Sequence, residues 1–240
     1  MKAVLHRANS RAYFNHGWLK THHTFSFADY YDPDRINFGA LRVLNDDSID
    51  AGTGFDIHPH RNMEIISIPL KGALRHGDSM GNTSVLHSGE IQVMSAGTGV
   101  YHSEFNDKDD TNTEFLQIWV IPDRMSVEPR YENANIKDLL RPNEISDIVT
   151  PYPGNGKGLW IYQDAWFSIG ELSKDSVHTY KLHSDKSLGV YVFMIDGSIS
   201  IDDVRLTKRD GIGLYDMKDF SFNVNEKSTV LFIEVPDLKD

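Results

Sequence analysis

The sequence predicts an all-β protein made of two similar antiparallel β-barrels of jelly-roll type, joined by a linker. Three observations carry this. Short strand signals recur from residue 52 to 122 and again from 159, at the spacing expected of a sandwich or barrel. No amphipathic helical period competes with them. The second half also repeats landmarks of the first in the same order. The chain of 240 residues, 40% hydrophobic and 11% aromatic, is long and apolar enough for a packed core.

Taken in order, Ala3–Leu5 reads as the first strand. A polar-aromatic segment follows, His16–Tyr31, in which Phe25 and Phe27 alternate as in a strand, and Asp32-Pro33-Asp34 signals a turn. Phe38–Leu44 is the next strand. Met63–Leu70, Ala73–His76, Ser84–Leu86, Glu90–Met94 and Glu114–Ile121 come next, with Gly72, Gly81-Asn82, Ser88-Gly89 and Gly97-Thr98-Gly99 supplying turns. Pro122, Pro129 and Pro142 interrupt Asp123–Asn143, which reads as a linker with one short helical piece at Asn135–Leu140. The pattern then resumes at Leu159–Gly170, Val177–Leu182, Val190–Ile195, Ser198–Ile201, Gly213–Tyr215, Phe220–Val224 and Thr229–Val235.

The repeat sets the domain boundaries. Ile68–Leu74 around Gly72 aligns with Phe193–Ile199 around Gly197, Gly89-Glu-Ile with Gly211-Ile-Gly, and Val120–Asp123 with Glu234–Asp237. The expected division is therefore residues 1–128, a linker at 129–145, and 146–240.

The chemistry concentrates in Gly52–Glu64. Residues two apart on a strand share a face, so His58 and His60 can aim both imidazoles at one point. His102-Ser-Glu104 is a second pair with this spacing. On facing strands the two pairs would offer two, three or four nitrogen and oxygen ligands to one divalent metal; this donor set, without sulfur, suits Fe, Mn, Co, Ni, Cu or Zn. His22 and His23 are adjacent and point to opposite faces, so at most one reaches a pocket, and both read as structural or rim residues. In the second half His183-Ser-Asp185 stands where His58-Pro-His60 stands in the first, fourteen residues before Gly197 as His58 is before Gly72. Phe220–Asn225, the counterpart of the His102 segment, offers no histidine or carboxylate, so the second domain is expected to be metal-free.

Gly52-x5-His58-x-His60-x3-Glu64 with Gly72 resembles the first motif of the cupin superfamily. Gly89-x5-Ser95-x-Gly97 followed by His102-x3-Asn106 resembles the second. Ser95 in place of a proline, and four residues rather than two between Gly97 and His102, depart from the usual form and are similar to the pirin branch. His16–Tyr31 and Gly39–Asp47 also resemble pirin segments. The resemblance covers residues 6–122; beyond them only the two-domain pattern carries it. It implies a bicupin whose N-terminal domain binds one metal, iron first among the candidates, through His58, His60, His102 and Glu104. In many other cupins the carboxylate at the position of Glu64 is a ligand; here Glu64 is expected to orient an imidazole N–H instead. Asn106 is assigned no role.

The resemblance further implies a quercetin 2,3-dioxygenase, which opens the central ring of a flavonol with O2 and releases carbon monoxide. Glu104 would then also accept the proton of the flavonol 3-hydroxyl, and Phe25, Phe27, Phe38 or Phe55 are candidate walls for the planar substrate. The alternative is a metal-dependent, redox-sensing or transcription-cofactor-like protein acting through a protein partner. A net charge of −11 disfavours direct binding to nucleic acid. No apolar leader or membrane span is evident, cysteine is absent, and a soluble cytoplasmic protein is the expectation.

Overall fold

The computed structural model describes residues 1–154 and 158–238. Among the described residues almost every element is a strand; the exceptions are two 3-10 turns, Ala8–Ser10 and Ile136–Asp138, the second inside the predicted helical piece. The N-terminal domain is a jelly roll of two sheets rather than a closed barrel. Its larger sheet runs, from one edge to the other, Arg130–Asn135, Glu90–Ser95, Glu64–Lys71, Thr113–Val120, Leu41–Ile49, Leu19–His23 and Ala12–Asn15. The smaller sheet is Gly54–His60, Val100–Asn106, Ala73–Asp78 and Thr83–His87.

The C-terminal domain is one hydrogen-bonded sheet of nine strands. Two long strands, Ser187–Ile201 and Asp219–Pro236, bend at bulges near Met194–Ile199 and serve both of its layers. Each absorbs two of the predicted strands, because a bulge leaves a polar interruption that reads as a turn.

Two boundaries differ from expectation. Lys2–His6 pairs with Gly211–Tyr215, so the chain begins in the C-terminal sheet before crossing to the N-terminal one. Arg130–Asn135, predicted as linker, is an edge strand paired residue by residue with Glu90–Ser95. Its sequence, Arg-Tyr-Glu-Asn-Ala-Asn, lacks apolar alternation, and only Tyr131 and Ala134 pack against apolar clusters. Ile145–Pro151 is also a strand, and its pairing with Leu159–Ile161 is parallel.

The repeat reappears in three dimensions. Gly72 (φ +78°) and Gly197 (φ +86°) sit at matching bends, pressed against the start of Thr113–Val120 and against Asp219–Pro236 respectively. A Cβ on Gly72 would meet Thr113 Oγ1 at 2.5 Å, and one on Gly197 would meet Lys227 O at 2.3 Å.

The apolar surface is unevenly distributed, and this positions the site. The largest core lies between the domains, where Leu44, Ile66, Ile118, Val149, Phe167 and Ile233 pack together. The C-terminal jelly roll has a solid apolar interior around Val190, Val192, Phe222 and Phe232. Inside the N-terminal jelly roll there are two small apolar clusters, one around Leu19, Ile49, Leu74 and Phe115, the other around Ile65, Met94 and Val100. Polar side chains occupy the middle. Since burying polar groups is costly unless they are paired, this interior is built for something other than packing.

Candidate metal centre

His58 and His102 are direct cross-strand partners on Gly54–His60 and Val100–Asn106, and His60 is opposite Val100. The two pairs thus lie on neighbouring strands of one sheet, not on facing strands as the sequence suggested. The three rings converge, with centroid separations of 4.4 Å (His58–His102), 4.8 Å (His60–His102) and 4.9 Å (His58–His60). One nitrogen of each lies within 4.8 Å of the others.

The chemistry of these donors fits a metal. His58 Nδ1 donates to the carbonyl of Asp56 at 2.7 Å, which leaves the Nε2 lone pair free. His102 is buried and neither of its ring nitrogens has a hydrogen-bond partner. Burial, reinforced by the neighbouring imidazoles, pushes His60 and His102 each down to about 3. Both are therefore neutral in the physiological range, as ligation requires.

Glu104 reaches the cluster from below. The spacing of two along the strand keeps the His102 and Glu104 side chains on the same inward face, and Glu104 Oε1 lies 2.8 Å from both Ser67 Oγ and Gln92 Nε2. Gln117 Nε2 donates to Oε2. Its carboxylate is grouped with His102 and with His76, a residue the sequence reading placed in a strand but gave no function. His76 is buried, stacks on Tyr131 with centroids 4.3 Å apart, and contacts Asp78 through Nε2 at 3.0 Å. Its signal was there in sequence: His76 stands two residues from Leu74 on a predicted strand and so shares the face of that apolar side chain.

Glu64 is elsewhere. On Glu64–Lys71 it sits on the face opposite Ser67, turned towards the Tyr162 backbone of the C-terminal domain, and its Oε2 accepts from its cross-strand neighbour Ser95 Oγ at 2.7 Å. Burial raises its pKa to about 7 despite hydrogen bonds from Ser95 and the Tyr162 backbone. No imidazole is among its partners, so the orienting role expected of it is not met. Asn106 does share the inner face of its strand, and there it braces loops: its amide donates to Thr111 O at 2.7 Å and its Oδ1 accepts from Thr113 Oγ1 at 2.7 Å.

The ligand cluster opens on a cavity of about 170 Å³. Phe27, Phe55 and Trp119 form apolar walls, with Phe27 and Trp119 edge-to-face at 5.2 Å. Of the expected aromatic walls, Phe25 and Phe38 instead pack in the interdomain core against Tyr191, while Trp119 was not anticipated. His23 lines the cavity and His22 faces away against Tyr13, as their adjacency on a strand requires. Burial lowers His23 to about 4.

The corresponding place in the C-terminal domain is different in kind. His178 and Tyr180 pair with Phe222 and Phe220, and the inner face that carries His102, Glu104 and Asn106 in the first domain carries Phe220, Phe222 and Val224 here. His183 contacts Glu234 through Nδ1 at 2.8 Å and Asp147 through Nε2 at 3.2 Å. Burial opposes its charge, but Asp147 and Glu234 outweigh that and raise it to about 9, so both nitrogens are engaged as donors. Asp185 is not part of this contact set.

Comparison with known proteins agrees with this two-domain arrangement. Residues 5–120 match the family described as Pirin, and residues 148–235 match the quercetinase C-terminal cupin domain. A quercetin 2,3-dioxygenase of Escherichia coli K12 is 38% identical over 232 residues, covering 97% of this chain and 98% of the relative. The chain belongs to the pirin family. This pirin superposes on the crystal structure of YhhW from Escherichia coli with a TM-score of 0.92, at 36% identity and full coverage of both chains. YhhW, described as a bacterial pirin, also has a structure in complex with nickel(II), with a TM-score of 0.91 over 99% of this chain and 100% of that one. A quercetin 2,3-dioxygenase from Acinetobacter baumannii, 23% identical with a TM-score of 0.77 over 100% of this chain and 87% of that one, shares the fold.

Proposed function

We propose that this pirin is a metal-dependent dioxygenase that opens the ring of a flavonol with O2 and releases carbon monoxide. The observation that carries the reading is the convergence of three imidazoles, one with both nitrogens buried and unpartnered, at the mouth of an aromatic-walled cavity. His58, His60 and His102 would hold the metal, with Glu104 as fourth ligand. Imidazole and carboxylate donors suit iron, our first choice, and equally accommodate the nickel(II) found with YhhW. When bound, the ion supplies Lewis acidity and open coordination positions.

The chain's own residues do the rest. Glu104 accepts the proton of the flavonol 3-hydroxyl; as a carboxylate facing three side-chain donors, it is fixed in place before substrate arrives. Phe27, Phe55 and Trp119 hold the planar substrate between ring faces and edges and keep water out. The cavity is smaller than the ~300–1,000 Å³ of pockets that enclose drug-sized ligands, so part of a flavonol would stay at the mouth.

The test is anaerobic loading with iron, nickel or another divalent ion, elemental analysis, and then oxygen uptake with carbon monoxide detection on adding quercetin. One equivalent of each gas per flavonol is expected. Metal-loaded protein that consumes no oxygen with any flavonol would sink the reading and favour action through a protein partner.

A further inference from the structure

A row of polar side chains crosses the inner face of the larger N-terminal sheet. Gln92, Ser67, Gln117, Asn45 and His23 stand directly opposite one another on five consecutive strands: Gln92 pairs with Ser67, Ser67 with Gln117, Gln117 with Asn45, and Asn45 with His23. Ser67, Gln92 and Gln117 each interrupt an apolar run, as in Ile65-Ile66-Ser67-Ile68 and Ile91-Gln92-Val93.

The two ends of this row differ. At one end Gln92, Ser67 and Gln117 are saturated by Glu104 and by each other. At the other end His23 Nδ1 and Asn45 Oδ1 have no partner. One step along the same strands, Thr21 faces Asp47 without a well-formed hydrogen bond, and Thr21 Oγ1 and Asp47 Oδ1 are unpartnered too. These four residues are 3–5% exposed, and all four line the cavity below the histidine cluster. A buried polar atom left without a partner is costly. Four such atoms in one cavity wall form a polar patch able to take hydrogen bonds from a ligand.

We propose that Thr21, His23, Asn45 and Asp47 form a hydroxyl-recognition subsite that selects ligands with phenolic hydroxyls at the end remote from the metal. Asn45 Oδ1 is an acceptor, Asp47, whose carboxyl burial raises to about 7, and Thr21 can each accept or donate, and neutral His23 presents one nitrogen. An acceptor-rich wall is matched by O–H donors. It is not matched by a bare hydrocarbon ring, whose binding would leave the acceptors empty. The inference rests on the dioxygenase reading for the orientation of the ligand, with its metal-binding oxygens at the histidines and its hydroxylated ring against the sheet.

The test compares two probes that share the metal-binding end: quercetin, with ring hydroxyls, and 3-hydroxyflavone, without them. Dissociation constants are measured anaerobically on metal-loaded protein by quenching of tryptophan fluorescence, so that no turnover is needed. Wild type should favour quercetin by about 10- to 100-fold. Asn45→Leu and Asp47→Leu, which match the natural side chains in length, should bring the ratio towards one without weakening 3-hydroxyflavone or lowering metal content. Thr21→Val is the conservative variant should either of these fail to fold, and it should reduce the ratio by a smaller factor. An unchanged ratio in folded variants overturns the proposal, and so does a wild type that fails to discriminate. Discrimination without oxygen uptake would leave the subsite standing and remove the dioxygenase reading instead.

Discussion

Replacing Glu104 by Gln separates its chemistry from its structural role, because the surrounding network can be followed atom by atom. Glu104 accepts from Gln92 and Gln117, and Ser67 Oγ lies within hydrogen-bond distance of both Glu104 Oε1 and Gln117 Oε1. A glutamine amide at 104 can place its NH2 towards Gln117, provided that Gln117 turns its own amide over. Gln117 Oε1 then accepts from residue 104, Gln117 Nε2 donates to Ser67, and the serine proton goes to the remaining oxygen at 104. Every partner stays satisfied. What is lost is charge assistance, about 1 kcal/mol per bond, partly offset because a buried charge no longer has to be desolvated. The expected change in stability is therefore below about 2 kcal/mol by urea denaturation. Glu104→Ala instead strands buried donors at about 1–3 kcal/mol each and should cost roughly 3–5 kcal/mol in total. Turnover is another matter: a missing general base typically lowers the rate ~10²–10⁴-fold. Three imidazoles suffice to retain a divalent ion, so the comparison is made at equal metal content, on oxygen uptake. Glu104→Gln activity within about threefold of wild type would remove Glu104 as the proton acceptor. Loss of metal from Glu64→Gln but not from Glu104→Gln would show the carboxylates to be exchanged.

Glu64→Gln should leave metal content intact and change only the pH dependence of stability. A carboxyl raised to about 7 in the folded state favours folding fully below its unfolded value and loses that contribution as pH rises through 7; the variant should lack this slope in thermal melts between pH 4.5 and 7. His183, raised to about 9, contributes stability that is complete below about 6.5 and gone above 9. His183→Ala should lose on the order of 1–2 kcal/mol, after discounting for a partly exposed pair, at pH 6 and little at pH 9.5, with metal stoichiometry unchanged. Removing the metal with a chelator should lower Tm by roughly 8–16 °C if the ion is present at about 1,000 times its Kd, and His58→Ala should abolish this difference while leaving the far-ultraviolet circular dichroism of the apoprotein unaltered.

The sequence by itself determined the class of the fold, the duplication and three of the converging side chains. These rest on local rules: a period of two on a strand puts His58 and His60 on one face and His102 and Glu104 on another, whatever the strands later pair with. The same period correctly separated His22 from His23. The apolar counterpart of the His102 strand was also legible, since Phe220, Phe222 and Val224 are spaced as His102, Glu104 and Asn106 are.

Tertiary structure decided everything that depends on which strands become neighbours. Lys2–His6 crosses to the distant sheet, and Arg130–Asn135 becomes an edge strand, because both are held by backbone pairing to partners far along the chain. Glu64 and Glu104 look equivalent as carboxylates near histidines. Only the assembled sheets show that Glu64 faces the domain interface and Glu104 faces the cavity. Phe25 and Phe27 are two residues apart, yet one is core and the other cavity wall, because a loop rather than a strand carries them. The polar row from Gln92 to His23 is the clearest case. Each member stands on a different strand, and the row exists only because five strands align in register, which no single strand encodes.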